Sequence, residues 1–78
     1  MLDAHIVGLV IQRFREAKHQ SQELVSGLAG IGRTHLSAIE RGERKPTLDT
    51  FYRLALALDM PPSTLLQQIE AAVEATNQ

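Results

Sequence analysis

The stretch GIGRTHLSAIERGERKP, residues 30–46, decides how the chain folds. It admits two readings: a glycine-rich loop cradling a phosphate-bearing ligand, or the start and body of a short helix with a basic end. The loop needs a strand before its glycines, a third glycine or a P-loop lysine, and a helix after them. Only Gly30 and Gly32 are present, and the preceding QELVSGLA (residues 22–29) is helical in character. Gly30 therefore ends one helix, in the left-handed conformation that glycine adopts without a Cβ penalty. Gly32 is a permitted, weaker N-cap for the next. That helix runs from Arg33 to about Arg41 with Leu36 and Ile39 inward and Glu40 beside them, and Gly42 stops it.

Working outward, Ser21 is an N-cap for the helix over residues 22–29, with Glu23 at its positive end. Val25 and Ala29 form its inner face, and Leu28 is a candidate to join them. Upstream, Ala4 to Lys18 reads as a helix with Val7, Ile11, Phe14 and the stem of Lys18 on one face. Ile6 and Val10 form a second apolar stripe, to which Leu9 adds, so something else should cover it. Downstream, ERKP (residues 43–46) is a polar loop and Thr47 caps a fourth helix, with Leu48, Phe51, Leu54, Ala55 and Leu58 at helical spacing. A fifth helix starts near Pro62, a residue suited to the first helical position, and carries Leu65, Leu66, Ile69, Ala72 and Val73. The terminal ATNQ is expected to fray. No segment alternates with period two. The fold class is all-α, five short helices in one domain.

Bulk properties narrow the function. Seventy-eight residues with 44% apolar and 22% charged side chains make an ordinary small globular domain, not a disordered one. There is no cysteine, which excludes disulfides and thiolate metal sites and suits a reducing compartment. His5, His19 and His35 lie on three segments without the i, i+4 pairing of a zinc-binding helix, so no metal and no cofactor are expected. No G-x-S-x-G elbow is present, and an enzyme is the least favoured class. The longest apolar run, IVGLVI (residues 6–11), is too short to span a membrane and lacks signal-peptide flanks. A cytoplasmic, nucleoid-associated location is the expectation. The net charge is −1, yet from Gln12 to Lys45 seven basic residues face four acidic ones, a balance of +3 against −4 elsewhere. Such a dipolar domain can turn a basic side to a polyanion.

Helix, turn at Gly30, second helix is the helix-turn-helix pattern, which presents the second helix to a DNA major groove with its N-terminal residues foremost. The outward face would hold Arg33, Thr34, Ser37, Ala38 and Arg41. Arg33 can fork to the two acceptors of guanine. Thr34 can meet a base edge, a phosphate or a thymine methyl, and the small Ser37 and Ala38 permit close approach. Arg41, Arg44 and Lys45 would neutralise flanking phosphates. Gln22 sits where free helical amides favour an anion. The same spacing also describes a plain helical hairpin with a charged face.

The segment SQELVSGLAGIGRTHLSAIERGERKPTLDTFYRLALALDM resembles the Cro and phage-repressor (XRE-like) helix-turn-helix family. The resemblance runs from about residue 7 to 66, with a C-terminal helix extension over about 67–75. Its specific parts are Arg15, Ser21–Gln22, the Gly30 turn, HLSAIERG, the Pro46–Thr47 helix start and LALALDM. It implies a compact five-helix, lambda-repressor-like domain that binds double-stranded operator DNA, usually as a homodimer. Base reading falls to Arg33, Thr34 and Ala38 with Ser37 nearby; backbone contacts fall to Gln22, His35, Arg41, Arg44 and Lys45. Arg15 and Glu40 become a structural ion pair joining the first and third helices. RTHLSAIERGERKP looks most like the controller proteins of restriction–modification systems. Leu9, Val10, Leu24, Leu28 and Leu56 stand where the family is commonly polar, an excess of apolar surface that a longer fifth helix or a partner subunit would cover. Leu56, Met60, Leu66, Ile69 and Val73 are the expected dimer contacts. Two rival functions are an antitoxin-like regulator that binds DNA and a protein partner, and a helical interaction module without DNA binding.

Overall fold

The computed structural model describes residues 1–77. Five helices follow one another: α1 (Ala4–Ala17), α2 (Gln22–Ala29), α3 (Arg33–Glu40), α4 (Leu48–Ala57) and α5 (Pro62–Thr76). The described residues contain no strand. Boundaries differ slightly from those the sequence suggests: Lys18 and Arg41 cap their helices rather than continue them. Of the terminal ATNQ, Ala75 and Thr76 are helical, and the Thr76 hydroxyl donates to the Ala72 carbonyl at 2.8 Å. Gln78 lies outside the described residues.

Local chemistry explains where each helix begins. The Asp3 carboxylate accepts from the amides of His5 and Ile6, Ser21 Oγ from Leu24 and Thr47 Oγ1 from Thr50, satisfying amides that a helix start leaves free. Pro62 opens α5, where its missing N–H costs nothing. The first four helices share one ending. A residue at positive φ turns the chain out of each: His19 at 55°, Gly30 at 71°, Gly42 at 77° and Asp59 at 61°. The next amide then reaches back five residues, from Gln20 to Arg15, Ile31 to Ser26, Glu43 to Ala38 and Met60 to Ala55, at 3.0–3.1 Å. This closes the carbonyl end of the helix. Glycine does so without strain; His19 and Asp59 do so at a cost of about 1–2 kcal/mol each, which the closing bonds offset.

The core collects Val7, Val10 and Ile11 of α1, Val25 and Ala29 of α2, Leu36 and Ile39 of α3, Leu54, Ala55 and Leu58 of and after α4, and Leu65 and Ile69 of α5. Each fully buried aliphatic side chain contributes roughly 1.5–3 kcal/mol. α5 packs on α1, so it is the element that covers the second stripe of the first helix. Several expectations change. Leu48 is 85% exposed because it stands at the very start of α4, and Leu28 is 62% exposed on the far side of α2. Leu66 is exposed, whereas Ile69 is wholly enclosed within the protomer; Ile69 is therefore a core residue and has no surface to give a dimer.

α1 meets the carbonyl end of α3 at Gly8. A Cβ there would overlap the Ile39 carbonyl oxygen and stand 2.8 Å from that of Glu40. Gly42 makes the reciprocal approach, since a Cβ on it would lie 2.8 Å from the Cα of His5. Backbone thus packs on backbone, which only glycine permits. Gly8→Ala should destabilise the domain by at least about 3 kcal/mol, the upper range for overpacking; denaturant unfolding measures it, and a loss under about 1 kcal/mol would mean that α1 and α3 slide apart freely.

Candidate nucleic-acid interface

α3 is held to α1 by a buried ion pair as well as by Gly8. Arg15 Nε donates to Glu40 Oε2 at 2.7 Å and Arg15 Nη2 to Glu40 Oε1 at 2.9 Å, a two-pronged fork. Arg15 Nη1 donates to the Gln20 carbonyl at 2.8 Å, and Gln22 Nε2 donates to Glu40 Oε1 at 2.9 Å. One carboxylate therefore gathers α1, α2 and α3. The Glu40 side chain is only 3% exposed. Its hydrogen bonds and charge push the Arg15 guanidinium further above its already high pKa, against the opposing effect of burial. The ion pair that the resemblance implied is present, and Gln22 joins it: its amide nitrogen serves the fork instead of standing free at the surface.

With α3 fixed by its inner face, its outer face is set. Arg33 and Thr34 are exposed at its first turn, and neither side chain has a hydrogen-bond or ionic partner among the described residues. A cation at a helix N-terminus opposes the dipole by about 0.3–1 kcal/mol, so local stability does not explain Arg33. His35, Ser37 and Ala38 are half-buried along the same helix. Arg44 and Lys45 are exposed in the loop after it and likewise unpaired among the described residues. Arg41 is different. Its Nε and Nη2 donate to the two carboxylate oxygens of Glu43 at 2.7 and 3.2 Å, and Nη1 donates to Ser37 Oγ. The Arg41 guanidinium holds the Glu43 carboxyl below the usual carboxylate range, chiefly through these hydrogen bonds.

The structure thus places Arg33, Thr34 and Ser37 along α3, Arg41 at its cap, and Arg44 and Lys45 beyond its end. Sequence reasoning missed Glu43 as a member of this surface; its spacing of two from Arg41 across a glycine was the available signal. It also missed Gly8, although a glycine inside a helix, costing about 1 kcal/mol against alanine, hints at a close approach. Ser26 is buried and donates to the Glu23 carbonyl, while Gln20 leaves a buried side-chain oxygen without a partner among the described residues. Those residues contain no cluster of three metal-ligating side chains. None of their helices is long and apolar enough to cross a membrane.

The remaining surface includes several apolar hollows, two of which hold expected dimer residues. An open hollow of ≈ 300 Å³ is lined by Leu2, Pro46, Leu48, Phe51 and Leu66, with Lys45 at its edge and the core residues Val7 and Ile69 beneath it. A shallower one lies between Leu28 and Leu56, beside Arg53. The expected dimer residues divide between faces: Leu66 lines the first hollow and Leu56 the second, and Met60 and Val73 are half-buried against the core.

A buried fork that orients a short helix, a preceding helix that ends at the left-handed Gly30 and an outward basic face define a helix-turn-helix domain. The sequence model of the helix-turn-helix family matches residues 11–65, and the chain belongs to that family. It is 43% identical over 53 residues to an uncharacterised HTH-type transcriptional regulator, y4dJ, of Sinorhizobium fredii, covering 68% of this chain and 69% of that one. The crystal structure of the restriction–modification controller protein C.AhdI from Aeromonas hydrophila superposes with a TM-score of 0.78 at 35% identity, over 83% of this chain and 98% of the other. The controller protein C.Esp1396I, solved as a tetramer with its natural 35-base-pair operator, shares the fold with a TM-score of 0.84 at 22% identity, over 94% of this chain and 96% of that one.

Removing one partner of the fork leaves the other charged and buried. Glu40→Ala should cost about 3–5 kcal/mol of unfolding free energy without touching an outward side chain of α3. Urea unfolding followed by helical circular dichroism gives the value; a loss below about 1 kcal/mol would show that α3 is held by packing alone.

Proposed function

We propose that the chain is a sequence-specific DNA-binding transcriptional regulator that acts as a homodimer on a two-fold operator, in the manner of restriction–modification controllers. The observation that carries this reading is the pair Arg33 and Thr34. Both are unpartnered among the described residues, at the leading turn of a helix whose inner face is rigidly held. Arg33 forks to a guanine edge and Thr34 meets the neighbouring base or phosphate. Ala38 and Ser37 allow the backbone close, and His35, Arg44 and Lys45 meet flanking phosphates. The α2 start, with the free amides of Gln22 and Glu23, takes a phosphate on the other side. The relatives' descriptions, transcriptional regulator and controller protein, support a regulatory rather than a catalytic role, and cytoplasmic location follows from that role.

The dimer face that fits best is the Leu2–Leu48–Leu66 hollow. It is the more enclosed apolar hollow of the two, and Lys45 at its edge belongs to the loop that follows α3. Two copies joined there would bring two such loops together and aim both recognition helices at one side of a duplex, with half-sites about one helical turn apart. The second reading, a regulator that also binds a protein, is favoured by the exposed Leu24, Leu28 and Leu56 on α2 and α4. A helical interaction module without DNA binding has no such observation in its favour.

On its preferred duplex, Arg33→Ala should weaken binding by about 1–3 kcal/mol and relax selectivity at one base pair. Lys45→Ala should weaken all sequences alike and flatten the salt dependence by about one unit. Unchanged preference in the Arg33 variant would remove that residue from base reading. Leu48→Glu, at a position too exposed to matter for folding, should raise the monomer fraction in sedimentation, with Leu56→Glu unchanged. The reverse result would place the interface on the α2–α4 face.

A further inference from the structure

Arg41 caps α3 at the end of its basic face, yet its guanidinium is already engaged. The two Glu43 carboxylate oxygens accept from its Nε and Nη2, and Ser37 Oγ accepts from its Nη1. The geometry is built into the backbone. Gly42 at φ 77° turns the chain directly after Arg41, and the Glu43 amide is anchored to the Ala38 carbonyl at 3.0 Å. No side chain fits at Gly42 because His5 of α1 lies against it, so the turn has little freedom to carry Glu43 away. A carboxylate offering two oxygens to an arginine fork has the shape and charge of a phosphate edge. Both Arg41 and Glu43 are more than half exposed, at the mouth of the surface that a polyanion would meet.

We infer that Glu43 is an internal substitute for a DNA phosphate: it occupies Arg41 in the free protein and must be displaced before Arg41 can contact a nucleic-acid backbone. The inference rests on the DNA-binding reading above and deepens it. Its consequence is an affinity held below what the basic residues could deliver. Part of each binding event goes into opening the Arg41–Glu43 pair, in the same sense that a binding-competent state of low population weakens apparent affinity. The pair also engages Ser37, so opening it frees two positions of the recognition face together. Arg44 and Lys45, unpaired among the described residues, carry no such restraint and supply the first encounter.

A double-mutant cycle on the full chain tests this. Wild type, Glu43→Gln, Arg41→Ala and the double variant are titrated by fluorescence anisotropy against a mixed-sequence duplex of roughly 20 base pairs across a salt series. Glu43→Gln should tighten binding about five- to tenfold at moderate salt and steepen the salt dependence by up to about one unit. In the Arg41→Ala background the same change should alter affinity by no more than about twofold, the residue of a screened surface charge. Equal gains in both backgrounds would show that Glu43 acts only through net charge and would overturn the inference. So would no gain in either. Failure of all four forms to bind duplex DNA would instead overturn the proposed function, and this inference with it. Both positions are exposed, so thermal unfolding should be unchanged among the variants.

Discussion

Everything outward about this domain depends on the fork between Arg15 and Glu40. A short helix of eight residues has little stability of its own, and its outer side chains point wherever its inner ones are fixed. Leu36 and Ile39 bury it but allow it to roll. The fork does not, because two hydrogen bonds of defined direction join Glu40 to α1 and a third joins it to Gln22 at the start of α2. A buried ion pair is seldom worth more than a well-packed apolar pair in net free energy. Its contribution here is angular: it sets the azimuth of α3, and with it the direction of Arg33 and Thr34. Gly8 and Gly42 set the distance, by letting α1 lie on the end of α3 with no side chain between.

The helices were legible in the sequence because their signals are local. Ser21, Thr47 and Pro62 announce starts, and Gly30 and Gly42 announce stops. His19 and Asp59 do the same work at the ends of α1 and α4 without announcing it, since a non-glycine residue at positive φ has no reliable signature. Burial was legible where periodicity and position agree, as for Leu54 and Leu58. It misled at Leu48, where the spacing is right but the residue stands at the end of its helix, and at Ile69, where an apolar residue beyond the usual core turned out to complete this one. Outward residues of α3 could be named from spacing alone. What spacing could not show is which of them are free. Arg33 and Arg41 look equivalent in the sequence, and a carboxylate two residues further on makes them different.

The charge distribution then takes on a finer meaning. The basic segment from Gln12 to Lys45 is not a uniform cationic coat. Arg15 is spent inside the protein on Glu40, and Arg41 is held at the surface by Glu43. Free positive charge at the recognition face reduces to Arg33 at one end of α3 and Arg44 and Lys45 at the other. Two small groups of cations separated by a helix with a low-profile middle suit a groove flanked by phosphates better than they suit a featureless polyanion. Acidic Glu70 and Glu74 lie on the separate C-terminal helix, α5.

The central claim is that this chain reads a two-fold DNA sequence with paired copies of α3. Selection of bound duplexes from a random pool, followed by sequencing, tests it most directly. The account predicts enrichment of an inverted repeat whose half-sites lie about one helical turn apart, with a guanine among the positions under strongest selection. Enrichment of a single asymmetric site, or none above the starting pool, would contradict it.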